Sequence, residues 1–297
     1  MSSNFWKRAI ITILILFVLA GIGLLAYIIS KKSEPVILPP VKVTNVGLRS
    51  VIGLSVQGRE IEAYTYGSGP KQFVFVGGIH GGYEWNSVLL AYKLKDYLLT
   101  NPSLVPANLT VTVIPDANPD GVYLVTGKTG PFTVADVKEN LPSGTGRFNA
   151  DKVDLNRNFD CDWQATSTWK GNIVSAGTAA FSEPEAKAIR DFVLKNKPAV
   201  MVFLHSQSNA VYASQCGKGI LPETRNIMNL YAKAAGYPAV DVFDSYAVTG
   251  AVEDWLSSIN IPAITVELKT HETIEWDKNL AGIKALLDYG GKEEVSI

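Results

Sequence analysis

The sequence predicts an α/β fold in which a mixed, largely parallel central sheet carries helices on both faces. From about Thr44 onwards, apolar strand-like runs alternate with segments whose apolar residues recur at helical spacing, which is typical of α/β folds. With 47% hydrophobic and 19% charged residues, the composition is that of a globular chain with a sizeable core. No internal repeat and no later proline-rich linker interrupts this part, so we predict one domain over residues 44–297.

Apolar runs bounded by turn-forming residues predict the strands of this sheet. They are Ile52–Val56 with Ile61–Tyr66, Phe73–Ile79, Thr110–Ile114, Val200–Leu204 and Ala263–Leu268. Helical spacing predicts helices over Trp85–Leu99, from Glu183 onwards, and over Glu223–Ala235, Val252–Ile259 and Glu275–Leu287. Between Gly121 and Phe181 the chain is rich in Gly, Asn, Asp and Ser. This composition predicts a long loop region, which inside a compact domain is usually functional.

The N-terminal region has the pattern of a membrane anchor. Residues 9–29 form an unbroken run without a charged side chain, with a basic pair on each side. About 20 apolar residues span a bilayer, and no small-x-small cleavage site follows the run. We therefore predict one transmembrane helix over 9–30 behind a cytoplasmic N-terminus at 1–8, with a cleaved signal peptide as the alternative. Residues 31–43 contain three prolines and predict an extended spacer. The charges that flank the run favour a cytoplasmic N-terminus, which would place the domain on the extracytoplasmic side.

The charge and the cysteines exclude some classes of protein. The net charge of -1 gives no electrostatic case for binding nucleic acid. The two cysteines, Cys161 and Cys216, are too few for a disulfide scaffold, and they form no Cys-x-x-Cys pair. Any metal site must therefore consist of histidines and carboxylates. Outside the cytoplasm the two cysteines are compatible with a disulfide, and free buried thiols are the alternative.

A histidine and a glutamate lie where one buried strand gives way to a helix. His80 follows the run that ends in Gly77-Gly78-Ile79, and Glu84 comes one helical turn later. Ligand groups in α/β sheets usually lie at such strand ends, and an imidazole and a carboxylate at this spacing can face a single cation. The alternative is an N-capped helix beside an incidental histidine.

Two further predicted strands end in ionisable residues, His205 and Glu267. Because the carboxyl ends of parallel strands face one crevice, we expect both side chains to meet the first histidine and glutamate there. Three protein ligands and a water form a catalytic zinc site, in which a remaining carboxylate acts as general base. Pairing with Lys269 or capping of the next segment is the alternative for Glu267, although a glutamate in an apolar run is costly to bury without a partner.

Two arginines lie in the loop region among amides and acids. Arg147 precedes Phe148-Asn149, and Arg157 lies within the segment 154–159, Asp-Leu-Asn-Arg-Asn-Phe. Guanidinium groups form bidentate pairs with carboxylates and stabilise developing oxyanions. A surface salt bridge is the alternative for either arginine.

These residues belong to an ordered series of motifs. The series comprises Ser-Val-Gln-Gly-Arg-Glu-Ile at 55–61, Gly-Ile-His at 78–80, Asn-Pro-Asp-Gly at 118–121, the segment 154–159, Phe-Ser-Glu-Pro-Glu at 181–185, Leu-His-Ser at 204–206 and Thr-Val-Glu-Leu at 265–268. From about Asn45 to Leu287 the chain thereby resembles the funnelin-type zinc carboxypeptidases. The resemblance implies an α/β sandwich around a mixed eight-stranded sheet, with one zinc ion as cofactor.

The resemblance implies a role for each matching residue. His80, Glu84 and His205 would bind the zinc ion. Glu267 would activate the zinc-bound water and pass its proton to the leaving amine. Arg147 would polarise the scissile carbonyl group, although its spacing before the Asn-Arg pair varies in the family.

Four further residues would bind the substrate. Asn156 and Arg157 would hold its terminal carboxylate, and Tyr246 would close over it, with a buried or surface tyrosine as the alternative. Glu253 occupies the position that reads the C-terminal side chain in the family. An acidic group there favours a basic or diamino-acid residue. The alternative is an exposed glutamate favoured by the dipole of the helix start.

The chain departs from the family in its zinc motif. The family usually has His-x-x-Glu, whereas one extra residue separates His80 from Glu84 here. The two glycines that follow the histidine, together with the one-turn spacing, can absorb this residue. His271, four residues after Glu267, either lines the site or forms a hydrogen bond at the surface, and we favour the surface.

The sequence thus predicts a membrane-anchored, outward-facing zinc metallocarboxypeptidase. Its expected partners are peptides with a free C-terminus and, through residues 9–30, the membrane; nucleic acid is not expected, and the catalytic domain is expected to be monomeric. One alternative is a zinc amidase or deacylase that acts on small N-acyl amino acids or cell-wall stem peptides, although such relatives usually lack the full carboxylate clamp. Another is an inactive peptide-binding surface protein on the same fold. Retention of Glu267 with all three candidate ligands argues against inactivity.

Overall fold

A computed structural model of the chain describes residues 6, 12–14, 16–23, 27 and 47–292. The chain divides into two compact units, Met1–Thr44 and Asn45–Ile297. A membrane span needs about 20 apolar helical residues, and no helix among the described residues is long and apolar enough. The transmembrane helix predicted over 9–30 is therefore not supported. The remainder of that segment and the spacer predicted over 31–43 lie outside the described residues.

The second unit is built on a mixed sheet. Its strands, together with those of a separate hairpin, are β1 (Leu48–Leu54), β2 (Glu60–Gly67), β3 (Lys71–Val76), β4 (Leu109–Ile114), β5 (Thr166–Trp169), β6 (Asn172–Ser175), β7 (Val200–Ser206), β8 (Ala210–Ala213), β9 (Ala239–Val240) and β10 (Ala263–Leu268). Eight strands form the sheet, in the order β1-β2-β4-β3-β7-β10-β8-β9. The central strands β4, β3, β7 and β10 are parallel neighbours. Antiparallel pairs β1–β2, β2–β4 and β8–β10 flank them, which confirms the predicted mixed sheet with a parallel centre.

Helices cover both faces of the sheet, as predicted. They are α1 (Trp85–Thr100), α2 (Pro119–Thr126), α3 (Pro184–Asn196), α4 (Pro222–Ala235), α5 (Val252–Ser258) and α6 (Trp276–Lys292). Side chains alternate along β3, so that Phe73 and Phe75 join one apolar cluster and Val74 and Val76 join another. Helices α1, α4 and α6 pack on the first cluster, and α3 and α5 pack on the second.

The region between Gly121 and Phe181 contains more regular structure than the sequence predicted. It includes most of α2 and the β5–β6 hairpin, which stands apart from the main sheet. Lys170 and Gly171 connect the two strands, with φ angles of +48° and +78°. A two-residue hairpin loop with two positive φ angles usually carries Asn-Gly or Asp-Gly, and the lysine at the first position explains why the sequence pattern did not reveal this hairpin.

A disulfide joins Cys161 and Cys216, which are 55 residues apart in the chain. Cys161 follows the segment 154–159, and Cys216 follows β8. The bond therefore ties two loops that line the same cavity.

Replacing both cysteines by serine should lower the free energy of unfolding by about 4 kcal/mol, because the closed loop no longer restricts the unfolded chain. Urea unfolding of the native and variant proteins, each with and without reductant, measures this change. Reductant should lower the urea midpoint of the native protein and leave that of the variant unchanged. Equal midpoints for the oxidised native protein and the variant would show that the bond contributes nothing to stability.

Candidate active site

Two histidines and a glutamate converge at the carboxyl ends of β3 and β7. His80 follows β3, Glu84 ends a short 3₁₀ turn over Gly81–Glu84, and His205 is the penultimate residue of β7. His80 Nδ1 lies 2.8 Å from one oxygen of Glu84, and His205 Nδ1 lies 3.1 Å from the other. All three side chains are buried, and one ligand atom from each lies within 4.8 Å of the others.

The extra residue between the histidine and the glutamate is accommodated by two glycines. Gly81 has a φ of +47°, a region that favours glycine. A Cβ atom on Gly82 would lie 2.5 Å from the carbonyl oxygen of Gly121, so no larger residue fits without displacement of the backbone. Tyr83, which precedes Glu84, packs its ring edge-on against Trp169 of β5, and His80 and Glu84 are in contact.

Asp154 supports this cluster, a role that the sequence analysis did not assign. It is fully buried, and its Oδ1 lies 3.5 Å from His80 Nε2. Its Oδ2 accepts hydrogen bonds from Nε and Nη2 of Arg147 at 3.1 and 2.8 Å. Metal-binding histidines usually donate their second ring nitrogen to such a carboxylate. In the sequence, the one feature that points to this role of Asp154 is its place in the segment 154–159, which also contains Asn156 and Arg157.

The histidines and the glutamate of this cluster shift one another's pKa values. Burial alone would raise the pKa of Glu84, but the charges of His80 and His205 hold it well below its usual value. Burial opposes protonation of His205, yet the Glu84 carboxylate raises its pKa well above the ordinary value. Two imidazoles and one carboxylate in a buried group of this size are the donor set of a catalytic zinc site. These residues therefore fit a zinc ion.

Glu267 lies beside the cluster on the neighbouring strand. In the parallel pairing of β7 and β10 it is opposite His205. The backbone N–H of Ser208 donates to its Oε2 at 3.2 Å. Burial, followed by repulsion from the Glu84 carboxylate, raises the pKa of Glu267 to about 7. Among the described residues no salt bridge joins Glu267 to Lys269, so the alternative of pairing with Lys269 is wrong.

A cavity of about 410 Å³ opens beside these groups. The predicted site residues that line it are His80, Asn156, Arg157, His205, Tyr246, Glu253 and Glu267. The two others, Glu84 and Arg147, are buried against the histidine–glutamate cluster, with Arg147 Nη1 3.8 Å from Glu84 Oε1. The guanidinium of Arg147 also lies 4.6 Å from the centre of the Trp169 ring. The structure thus brings every predicted site residue into one region.

Arg157 has an unusual environment in this cavity. It is 2% exposed, its Nη1 donates to the carbonyl oxygen of Asn156 at 2.6 Å, and its Nε has no hydrogen-bond partner. Among the described residues no carboxylate forms an ion pair with it. The Asn156 side chain is already used within the protein, because its Oδ1 accepts from the N–H of Val252 and its Nδ2 donates to Glu253.

Glu253 and Tyr246, the remaining predicted residues, differ in how deeply they are buried. Glu253 is 4% exposed, so the interpretation as an exposed helix-start glutamate is wrong. Tyr246 is half-buried, with its ring edge-on to Phe243 and 6.0 Å from the guanidinium of Arg157. Both residues line the cavity, as a substrate-contacting role requires.

His271 is half-buried against the site and is not the surface residue that we favoured. Its Nδ1 lies 2.6 Å from the hydroxyl of Ser206, and its ring packs edge-on against Tyr83. The backbone N–H of Ser206 in turn donates to Glu84 Oε2 at 3.1 Å. Burial lowers the pKa of His271, so the neutral ring is favoured at this position.

The comparisons with known proteins agree with this geometry. A family model described as zinc carboxypeptidase matches residues 48–278. The chain is 27% identical over 243 residues to gamma-D-glutamyl-L-diamino acid endopeptidase 1 of Lysinibacillus sphaericus, an alignment that covers 73% of this chain and 59% of the relative. It is 30% identical over 168 residues to carboxypeptidase B of Astacus astacus, which covers 53% of each protein. The chain thus spans little more than half the length of these relatives.

A solved structure has a similar fold. The murein-tripeptide amidase MpaA from Escherichia coli O157 superposes with a TM-score of 0.59 at 19% identity, covering 86% of this chain and 98% of that protein. The fold and the buried histidine–glutamate cluster are those of an α/β protein with a site that fits one metal ion. The family match is more specific: the chain belongs to the zinc carboxypeptidase family. Members of this family use one catalytic zinc ion, which confirms the predicted cofactor.

Proposed function

We propose that this protein is a zinc-dependent carboxypeptidase that removes the C-terminal residue of peptides. The observation that carries the proposal is the buried Arg157 guanidinium, which lines the cavity and forms no ion pair with any described residue. A buried charge without a partner is costly, and a guanidinium pairs best with a carboxylate. The terminal carboxylate of a peptide supplies that partner and places the last peptide bond beside the cluster.

The proposed mechanism assigns a role to each group around the cluster. His80, Glu84 and His205 hold the zinc ion, which supplies Lewis-acid polarisation when it is bound. Glu267 takes a proton from the attacking water and passes it to the leaving amine. A pKa raised to about 7 suits a group that must both accept and donate a proton near neutral pH. Arg147, held by Asp154, stabilises negative charge on the carbonyl oxygen.

The cavity favours a positively charged C-terminal side chain. Glu253 and Asp254 both line it, next to each other at the start of α5. Burial raises the pKa of Asp254 to about 7, so this carboxyl gains its charge only near neutral pH. A basic or diamino-acid side chain would offset these two charges. The name of the Lysinibacillus relative, which specifies an L-diamino acid, supports this class of substrate.

An amidase or endopeptidase that acts on cell-wall stem peptides is the second candidate. It is favoured by the names of two similar proteins, the Lysinibacillus endopeptidase and the murein-tripeptide amidase. An endopeptidase cuts within a peptide chain and does not need a free terminal carboxylate at the bond it cleaves. The two candidates therefore differ in whether a free terminal carboxylate is required.

We also propose that the catalytic unit works outside the cytoplasm. The disulfide between Cys161 and Cys216 supports this location, because structural disulfides persist in oxidising compartments and are rare in the cytosol of mesophiles.

Glu267→Gln should leave zinc content unchanged and lower kcat by about 10²- to 10⁴-fold, because the amide cannot accept the proton of the water. Metal analysis and steady-state kinetics measure both quantities. The exposed Glu272→Gln, five residues further on, is the matched control and should retain native turnover. Turnover of Glu267→Gln within tenfold of native would exclude Glu267 as the base.

Arg157→Gln should lower kcat/KM for free-acid peptides by about 10- to 150-fold, the cost of losing a hydrogen bond to a charged group. The same peptides with an amidated C-terminus should be poor substrates of the native enzyme and should lose little more in the variant. Arg190→Gln, which removes an arginine paired with Asp191 at the surface, is the control. Equal cleavage of free-acid and amidated peptides by the native enzyme would favour the amidase or endopeptidase instead.

Peptides that end in lysine should be cleaved faster than matched peptides that end in norleucine, whose side chain has a similar length and no charge. The ratio of the two kcat/KM values should increase as the pH rises through about 7, because the raised pKa of Asp254 leaves this carboxyl neutral below that range and ionised above it. Parallel kinetics at pH 6 and pH 8 measure the ratio. Equal rates for both peptides at both pH values would contradict a cation-binding cavity.

A further inference from the structure

Glu253 reaches from the cavity to the histidine–glutamate cluster. It lies in the first turn of α5 and is 4% exposed. Its Oε1 lies 3.1 Å from His205 Nε2, and its Oε2 accepts a hydrogen bond from Asn156 Nδ2 at 3.3 Å. Both carboxylate oxygens are therefore engaged by residues of the protein itself, one of them a proposed zinc ligand.

The start of α5 is fixed in position by close backbone contacts. The N–H of Val252 donates to Asn156 Oδ1 at 2.9 Å, and the N–H of Phe159 donates to the carbonyl oxygen of Gly250 at 3.0 Å. A Cβ atom on Gly250 would lie 2.3 Å from the carbonyl oxygen of Arg157, so the two segments approach as closely as a glycine permits. This docking leaves Glu253 little freedom and directs its carboxylate to His205.

The orientation of the His205 ring determines which of its two nitrogens can bind a metal ion, and Glu253 contacts the other one. Its Nδ1 faces an oxygen of Glu84, as does Nδ1 of His80, so the Nδ1 atoms are the ones that point into the cluster. A neutral imidazole carries one proton, and a carboxylate beside Nε2 favours the tautomer with the proton on that nitrogen. Nδ1 then keeps its lone pair free for a metal ion.

We propose that Glu253 positions the zinc ligand His205, in addition to lining the cavity. This inference rests on the proposed zinc-binding role of the cluster. Asp154 has the corresponding place on His80, at 3.5 Å from Nε2. Each histidine thus has a buried carboxylate at the nitrogen that faces away from Glu84, and the contact at His205 is the shorter of the two.

The arrangement links substrate selection to metal binding. The residue that lines the cavity also contacts a proposed metal ligand, and its carboxylate accepts a hydrogen bond from Asn156. A substitution that changes the charge of the cavity at Glu253 should therefore also weaken zinc binding. A substitution of the neighbouring Asp254, which accepts from the N–H of Gln215 and contacts no proposed zinc ligand, should not.

The test measures zinc affinity, without reference to catalysis. Apoprotein competes with a chromogenic chelator for zinc, which gives the dissociation constant of each variant. Glu253→Ala should bind zinc about 10- to 100-fold more weakly than the native protein, the usual effect of losing such a supporting carboxylate. Glu253→Gln should lose less zinc affinity, because its amide oxygen still accepts a hydrogen bond from His205 Nε2. The matched control Asp254→Asn should stay within about twofold of native, since the cavity charge changes without loss of a contact to histidine.

Substitution with cobalt provides a second measurement. The visible absorption of the cobalt-loaded protein reports ligand orientation, and it should shift for Glu253→Gln but not for Asp254→Asn. Thermal unfolding of the apoprotein shows whether Glu253→Ala folds. If it does not, the inference is tested with the isosteric Glu253→Gln, by its zinc affinity and by the spectrum of its cobalt-loaded form. Native zinc affinity and an unshifted spectrum in the folded Glu253 variants would overturn the inference and leave the proposed function intact. Failure of the native protein to bind one zinc ion would overturn both.

Discussion

The site depends on one buried carboxylate, that of Glu84, which is shared by two imidazoles. Its oxygens lie 2.8 Å from His80 Nδ1 and 3.1 Å from His205 Nδ1. A buried carboxylate is stable only when charges and hydrogen bonds compensate for its loss of hydration. Compensation here comes from side chains that also suit a zinc ion, so the same contacts that make Glu84 tolerable in the interior assemble the metal site.

The order and register of the strands determine where these groups lie. The parallel strands β3, β7 and β10 are neighbours, so residues at their carboxyl ends share one edge of the sheet. Glu267 is opposite His205 in the register of β7 and β10, and the glycines after His80 let the chain turn tightly towards α1. Buried carboxylates of Asp154 and Glu253 lie 3.5 and 3.1 Å from the Nε2 atoms of His80 and His205.

Much of this could be predicted from the sequence, for identifiable physical reasons. Ionisable residues that end apolar strands must meet where parallel strands share an edge, so His80, His205 and Glu267 were predictable. The reach of Glu253 to His205 was not, because it depends on how the start of α5 docks on Asn156. The β5–β6 hairpin was missed because Lys170 occupies a turn position that usually carries Asn or Asp. His271 was misplaced because its partners, Ser206 and Tyr83, are distant in sequence or on another element.

The central claim is that one zinc ion binds between His80, His205 and Glu84, and anomalous diffraction at the zinc absorption edge from zinc-loaded crystals tests it most directly. The account predicts a single strong peak about 2.0–2.2 Å from Nδ1 of each histidine and from the glutamate carboxylate. A peak bound through the Nε2 atoms, or held by other residues with this cluster empty of zinc, would contradict it.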